Sequence, residues 1–331
     1  MKKLAIDIND IRQAQAVLKG NARKTPLIKS FYFSSLTDGE VYLKMENMQL
    51  TGSFKFRGAF NKISSLSDEE RAKGVIACSA GNHAQGVALS SRLLNIKSKI
   101  VMPTTAPKAK VEATKGYGSE VILAGDFFDE AKAECENIQN ETGETFLHPY
   151  DDKYVMAGQG TIGLEILEDL WDVETVVVPV GGGGLISGVA VALKSFNPNI
   201  NIIGVQADNV HGMKASFDAN EITTHYVAPT LADGCTVATP GVLTFEVAQE
   251  LVDEIVTVSE EQIELALKDL LQRGKAVVEG SGALASAAIH SGKIDHYVKG
   301  KKVVAILSGG NIDLTKISNI VDNLYGKELV K

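Results

Sequence analysis

Cysteine is scarce in this sequence. The three residues are Cys78, Cys135 and Cys235, and no two form a C-x-x-C pair. An odd, scattered set argues against a disulfide framework and fits a reducing, cytoplasmic setting. Runs of positive charge are also missing. No five consecutive residues are Lys or Arg, and 41 acidic against 33 basic residues give a net charge of −8. Nucleic acid and anionic membranes are therefore poor partners. None of the six histidines is spaced with Cys or His as in a zinc motif, so no metal site is expected. An uncharged run, Val176 to Leu193, carries Pro179 and Gly181 to Gly184 at its centre. Lipid cannot satisfy the backbone groups freed there, which excludes a membrane span. The start, Met1 to Asp7, turns charged before any signal-peptide core forms. There is no Pro/Ser-rich linker, low-complexity tract or fixed-period repeat.

What is present is an ordinary globular composition, 44% hydrophobic and 22% charged, with enough apolar residues for a sizeable core. A length of 331 residues suggests about two domains, or one large α/β unit. Short β-branched runs predict strands at Val41–Lys44, Val75–Cys78, Lys99–Met102, Glu120–Leu123, Thr175–Val178, Ile202–Val205 and Val303–Leu307. They are nearly continuously apolar, as expected for strands buried on both faces. Helical periodicity lies between them, as at Ile11, Ala14, Val17 and Leu18, or Leu265, Leu267, Leu270 and Leu271. This alternation predicts an α/β protein with mostly parallel sheets.

Four segments could carry chemistry. In Thr51-Gly52-Ser53-Phe54-Lys55-Phe56-Arg57-Gly58-Ala59, Ser53 is a candidate helix N-cap, which puts Lys55 in the first turn of a helix. The partial positive charge of a helix N-terminus disfavours an ammonium there and favours a nucleophilic amine. Alone, Lys55 reads better as a surface lysine that snorkels to water. Ser79-Ala80-Gly81-Asn82-His83-Ala84-Gln85-Gly86 follows a strand and opens a helix, so its N–H groups suit a carboxylate. A capped tight turn is the plain alternative, and His83 reads better as a structural histidine than as a base. In Val180-Gly181-Gly182-Gly183-Gly184-Leu185-Ile186-Ser187-Gly188, four glycines let amides converge on a phosphate. The run fits neither dinucleotide nor P-loop spacing, which points to a ligand with a single phosphate. Leu307-Ser308-Gly309-Gly310-Asn311-Ile312-Asp313 ends another buried strand, where open α/β sheets bind ligands.

Taken together and in this order, these segments resemble the β-family (fold type II) of pyridoxal-phosphate enzymes, most closely the catabolic serine/threonine dehydratases. Ala157 to Thr161 and Leu231 to Gly234 look like the same family. The resemblance implies a tryptophan synthase β-like α/β fold: two open, twisted, mostly parallel sheets flanked by helices, with the active site in the cleft between domains. A small domain, residues 50–150, would be inserted into a larger one built from 1–49 and 151–331. It implies pyridoxal 5'-phosphate as cofactor, with Lys55 as the Schiff-base lysine and Phe54 beside the ring. Asn82 matches the partner of the 3'-oxygen. Gly181, Gly182, Gly183, Gly184 and the Leu185 amide match the phosphate cradle, Ser308 the partner of the ring nitrogen, and Gly234 a backbone contact. Ser79, Asn82 and His83 lie in the loop that receives the substrate carboxylate. The implied reaction converts L-threonine to 2-oxobutanoate and ammonia, and L-serine to pyruvate and ammonia.

Serine racemase shares most of these motifs. In that family a serine supplies a second base where Ala80 stands here, and acidic metal ligands stand at Gln206 and Gly212. Both departures favour elimination. A non-catalytic nucleotide-binding α/β protein is the reading from another class, and the absent nucleotide fingerprints count against it. Relatives bind a nucleotide such as AMP at a subunit interface, and the matching positions are Thr51, Gln85, Tyr117, Lys275 and Asn311. Leu50 replaces a basic residue common there. The resemblance implies a homodimer or homotetramer. The short stretch after Asp313 leads us to expect no isoleucine-sensing regulatory domain.

Overall fold

The computed structural model describes residues 3–320. Among the described residues, ten strands form two open sheets. They are β1 (Leu27–Lys29), β2 (Glu40–Lys44), β3 (Val75–Cys78), β4 (Ser98–Met102), β5 (Glu120–Leu123), β6 (Thr145–Phe146), β7 (Thr175–Pro179), β8 (Asn201–Ala207), β9 (Glu254–Val258) and β10 (Lys302–Ile306). The larger sheet has the order β1-β2-β10-β7-β8-β9, and the smaller has β5-β4-β3-β6. Every pairing is parallel except β1 with β2. The α/β reading with mostly parallel sheets therefore holds.

β7 is Thr-Val-Val-Val-Pro and buried throughout, as a central parallel strand covered on both faces must be. β5 departs from that expectation. It is the edge of the smaller sheet, and its ends Glu120 and Leu123 are exposed. Apolar composition alone does not separate an edge strand from a central one.

Helices cover the sheets, and glycine sets how closely they approach. Helix Gly184–Phe196 crosses helix Lys153–Asp169 where a Cβ on Gly188 would lie 2.2 Å from the Met156 carbonyl. Helix Gly280–Ser291 is buried from Gly280 through Ile289 and lacks a polar face, as a fully enclosed helix does. Among the described residues, no helix is long and apolar enough to cross a membrane. The ends of the expected larger domain, residues 1–2 and 321–331, lie outside the described residues.

Candidate active site

Three neighbouring strands deliver three of the four segments to one edge of the larger sheet. The chain leaves β2 toward Lys55, leaves β7 into the glycine run, and leaves β10 into Ser308. The fourth segment, Ser79–Asn82, leaves β3 of the smaller sheet. All four lie beyond carboxyl ends of parallel strands, where such sheets bind ligands.

Lys55 begins helix Lys55–Ser64. The turn before it is pinned to the end of β10: the Phe54 N–H donates to the Ser308 carbonyl at 3.1 Å, and Ser53 forms a bridge with Gly309. Ser53 is not the N-cap. That position is Phe54, and Ser53 Oγ is buried without a hydrogen-bond partner. The Lys55 amine donates to the Pro149 carbonyl at 2.8 Å and sits 5.2 Å from the centre of the Phe54 ring. Burial pushes its pKa down to about 8, against the opposing fields of Cys235 and Glu279. Enclosure, a cause the sequence argument did not weigh, thus supplies the shift toward a neutral amine. Helix Asn82–Leu93 crosses close by. A Cβ on Gly86 would lie 3.1 Å from the Lys55 carbonyl.

The Lys55 helix is anchored underneath by a buried ion network. Arg57 donates to Glu46 at 2.8 and 2.9 Å and to Glu165 at 2.6 and 2.9 Å. Lys44 reaches Glu165 at 2.6 Å. Two cations face two carboxylates, so the network closes with no net charge. Arg57 stands in the quoted motif, but nothing in the sequence marked it as buried.

The glycine run needs glycine at its centre and is tight at both ends. A Cβ on Gly182 would lie 2.5 Å from the Tyr150 ring, and one on Gly184 would lie 3.0 Å from Tyr150. Gly183 adopts φ +98°, and its Cβ would lie 2.5 Å from Met213. Gly181 rests against Cys235. Among the described residues, no backbone acceptor meets the N–H groups of Gly181 to Leu185. These orphaned donors, at the start of helix Gly184–Phe196, make a fitting cradle for one phosphate.

Asn82 is the first residue of its helix. Its side-chain N–H donates to Glu279 at 2.5 Å, and its oxygen accepts from Asn311 at 2.8 Å. Asn311 also donates to the Thr51 carbonyl at 2.8 Å. Burial raises the Glu279 carboxyl to about 7, with the nearby Asp233 charge adding to the rise. Gly234 lies beside Ser281 and Glu279, where a Cβ would sit 2.9 Å from Ser281 Oγ. Ser308 is buried and donates only a long 3.4 Å bond, to the Ser281 carbonyl. Its hydroxyl therefore suits a neutral ring nitrogen. Ser79 Oγ accepts from the Gly81 N–H at 3.2 Å, which shapes the loop. The His83 ring is buried and committed elsewhere: it donates to the Leu147 carbonyl at 2.8 Å, and burial, with the Lys55 charge adding, lowers its pKa to about 3. Only its backbone can serve a substrate.

Contacts thus link several of these positions: Phe54 meets Ser308, Lys55 meets Pro149 next to the Tyr150 that packs on the glycine run, and Asn82 and Gly234 both meet Glu279. Sequence reasoning missed Glu279, Tyr150, Pro149 and Cys235. An acidic residue opening a glycine-bearing apolar helix was the one available signal for Glu279. Of the five nucleotide positions, Gln85 and Asn311 line a cavity of about 290 Å³ together with Lys110, Asp233, Glu279 and Lys316. Thr51 adjoins Asn311 through its carbonyl. Tyr117 and Lys275 do not line that cavity. Tyr117 packs against Arg92, and Lys275 donates to the Gln272 carbonyl. At the two positions read as metal ligands in racemases, Gln206 accepts from the Lys214 N–H at 2.8 Å. A Cβ on Gly212 would lie 2.2 Å from the Ala238 carbonyl, so no acidic side chain fits there.

A phosphate cradle, a half-buried amine and a neutral hydroxyl at the ends of parallel strands define a pyridoxal-phosphate enzyme of fold type II. The family model described as pyridoxal-phosphate dependent enzyme matches residues 18–309, and the chain belongs to that family. The chain is 61% identical over 320 residues to the L-threonine dehydratase catabolic TdcB of Staphylococcus aureus strain N315, covering 96% of this chain and 92% of that one. Among solved structures, threonine deaminase isoform 2 from Solanum lycopersicum is 40% identical, with a TM-score of 0.89 over 97% of this chain and 95% of that one. Maize serine racemase is 37% identical, with a TM-score of 0.92 over 98% and 99%.

Proposed function

We propose that this enzyme dehydrates and deaminates L-threonine to 2-oxobutanoate and ammonia, and L-serine to pyruvate and ammonia. The observation that carries this reading is the enclosed Lys55 amine, depressed to about 8 and bonded to the Pro149 carbonyl next to the Tyr150 that packs on the glycine run, in a chain 61% identical to a threonine dehydratase. When bound, pyridoxal phosphate supplies an aldehyde that condenses with amines and a conjugated ring that withdraws electrons from Cα. Lys55 is the residue that would hold that aldehyde, and the substrate amine would take its place there. Its freed amine then takes the Cα proton. N–H groups of the Ser79–His83 loop hold the substrate carboxylate, and those of Gly181–Leu185 hold the phosphate. Asn82, fixed between Glu279 and Asn311, orients the 3'-oxygen. The Ser308 hydroxyl carries no charge, so it does not hold a proton on the ring nitrogen. An uncharged partner at that position would favour elimination of the β-hydroxyl as water.

Lys55→Ala is the direct test. The variant should lose both turnover and the visible absorption of the lysine-bound cofactor while keeping its fold. Undiminished dehydratase activity in that variant would refute the assignment.

The likeness to maize serine racemase favours racemisation as a second reading. Ala80 speaks against it, because a methyl group cannot exchange a proton on the second face of the substrate. We further infer a small domain, 50–150, inserted into a large one, 1–49 plus 151–331; the sheets built from 75–146 and from 27–44 with 175–306 support that division. Cytoplasmic location, a homodimer or homotetramer, and allosteric binding of a nucleotide such as AMP complete the proposal. The cavity at Gln85 and Asn311 supports the nucleotide, and Leu50 and the placement of Tyr117 and Lys275 weigh against it.

A further inference from the structure

The segment after β8 brings together two histidines that the active site does not use. His211 precedes helix Gly212–Ala219, and His225 lies in the loop that runs on to Gly234 and Cys235. Their ring centres are 3.9 Å apart, with the planes inclined at 42°. In each ring Nδ1 points at a backbone carbonyl. His211 Nδ1 donates to Asp208 at 2.6 Å, and His225 Nδ1 donates to Tyr226 at 3.0 Å. A carbonyl oxygen only accepts, so both protons sit on Nδ1. Each neutral ring then presents a bare lone pair at Nε2. Neither Nε2 has a hydrogen-bond partner among the described residues, and both rings are partly accessible.

A carbonyl on one ring nitrogen and a free lone pair on the other is the arrangement that orients metal-binding histidines. The backbone that carries the pair is also held in place. The His225 N–H donates to the Ala238 carbonyl at 3.0 Å, the Ala228 N–H to the Asn209 carbonyl at 3.0 Å, and the Asn209 side chain to the Pro229 carbonyl at 2.6 Å. We propose that His211 and His225 form a two-imidazole site for a divalent transition-metal ion of the Zn²⁺, Ni²⁺ or Cu²⁺ type. Water completes the coordination. Ligand bonds of about 2.0–2.1 Å in tetrahedral geometry put the two ring centres about 5 Å apart, so the rings, now 3.9 Å apart, must open by about 1 Å to converge on one ion. Imidazole nitrogens select these ions over Mg²⁺ and Ca²⁺, which take oxygen ligands. The donors differ in kind from the carboxylates absent at Gln206 and Gly212. Occupancy would tie the start of helix Gly212–Ala219 to the loop that carries Gly234. The proposal does not depend on which amino acid the enzyme turns over.

The test is calorimetric titration of chelator-treated holoenzyme with ZnCl₂ and, separately, with MgCl₂. His211→Phe and His225→Phe keep an aromatic ring and remove the lone pair. We expect one Zn²⁺ per chain, affinity lowered about tenfold or more in each variant, and no Mg²⁺ uptake. Threonine turnover without added metal should be unchanged in both variants. Failure of the wild type to bind Zn²⁺, or equal affinity in wild type and variants, would overturn the site. The ring-proton NMR signals of the two histidines provide a check that needs no variant. They should shift together on adding Zn²⁺, and unshifted signals would also refute the proposal.

Discussion

At the residue scale, Lys55 and Glu279 share a cause and receive opposite effects. Burial disfavours charge, so it lowers the lysine to about 8 and raises the carboxyl to about 7. For Lys55 the shift leaves an appreciable neutral fraction near pH 8, as a nucleophile requires. For Glu279 it has a stability consequence. The folded carboxyl keeps its proton where the unfolded one has lost it, so stability falls as pH rises from the ordinary carboxylate range through 7. The rise to about 7 corresponds to roughly 3 kcal/mol lost above pH 7. Glu279→Gln should therefore melt at a higher temperature than wild type at pH 8, with the difference vanishing at pH 4. The same variant should lose any change in turnover that titrates near pH 7, because the residue that fixes Asn82 no longer ionises. Identical melting curves and pH–rate profiles in the two proteins would show that Glu279 does not titrate in this range.

At the scale of elements, the site is positioned by close helix crossings as much as by side chains. Gly188 and Gly160 let helix Gly184–Phe196 press onto helix Lys153–Asp169, where a Cβ on Gly160 would lie 2.8 Å from the Gly188 carbonyl. The obstacle at Gly188 is backbone, which cannot rotate away. Gly188→Ala should destabilise the protein by roughly 1–3 kcal/mol, since overpacking forces the helices apart. It should also weaken cofactor retention, because the same helix begins at the glycine cradle. Urea unfolding and dialysis of the coloured holoenzyme measure the two effects, and unaltered stability would contradict the packing argument. The sequence announced this crossing only as glycines within apolar helices, which does not say what each one faces.

At the scale of the whole molecule, what was legible followed chain-local patterns. The four segments, their order and the strand–helix alternation are local, and they carried the α/β class and the positions around the cleft. The less legible features depend on which distant segments meet. Glu279 lies far along the chain from Asn82, and Arg57 finds Glu46 and Glu165 on separate elements. That the strands of the smaller sheet fall between β2 and β7 along the chain leaves no mark on composition, and the edge position of β5 leaves none on hydrophobicity. Ser53 read as a cap because serine favours that role locally, yet pairing with Gly309 claims its backbone instead. The central claim concerns the reaction itself. The measurement that tests it most directly follows 2-oxo acid and ammonia release from L-threonine and L-serine by the pyridoxal-phosphate-loaded enzyme, with D-serine assayed in the same reactions. The account predicts 2-oxobutanoate and ammonia in equal amounts from threonine, pyruvate from serine, and no D-serine. D-serine as the main product, or no 2-oxo acid from either substrate, would contradict it.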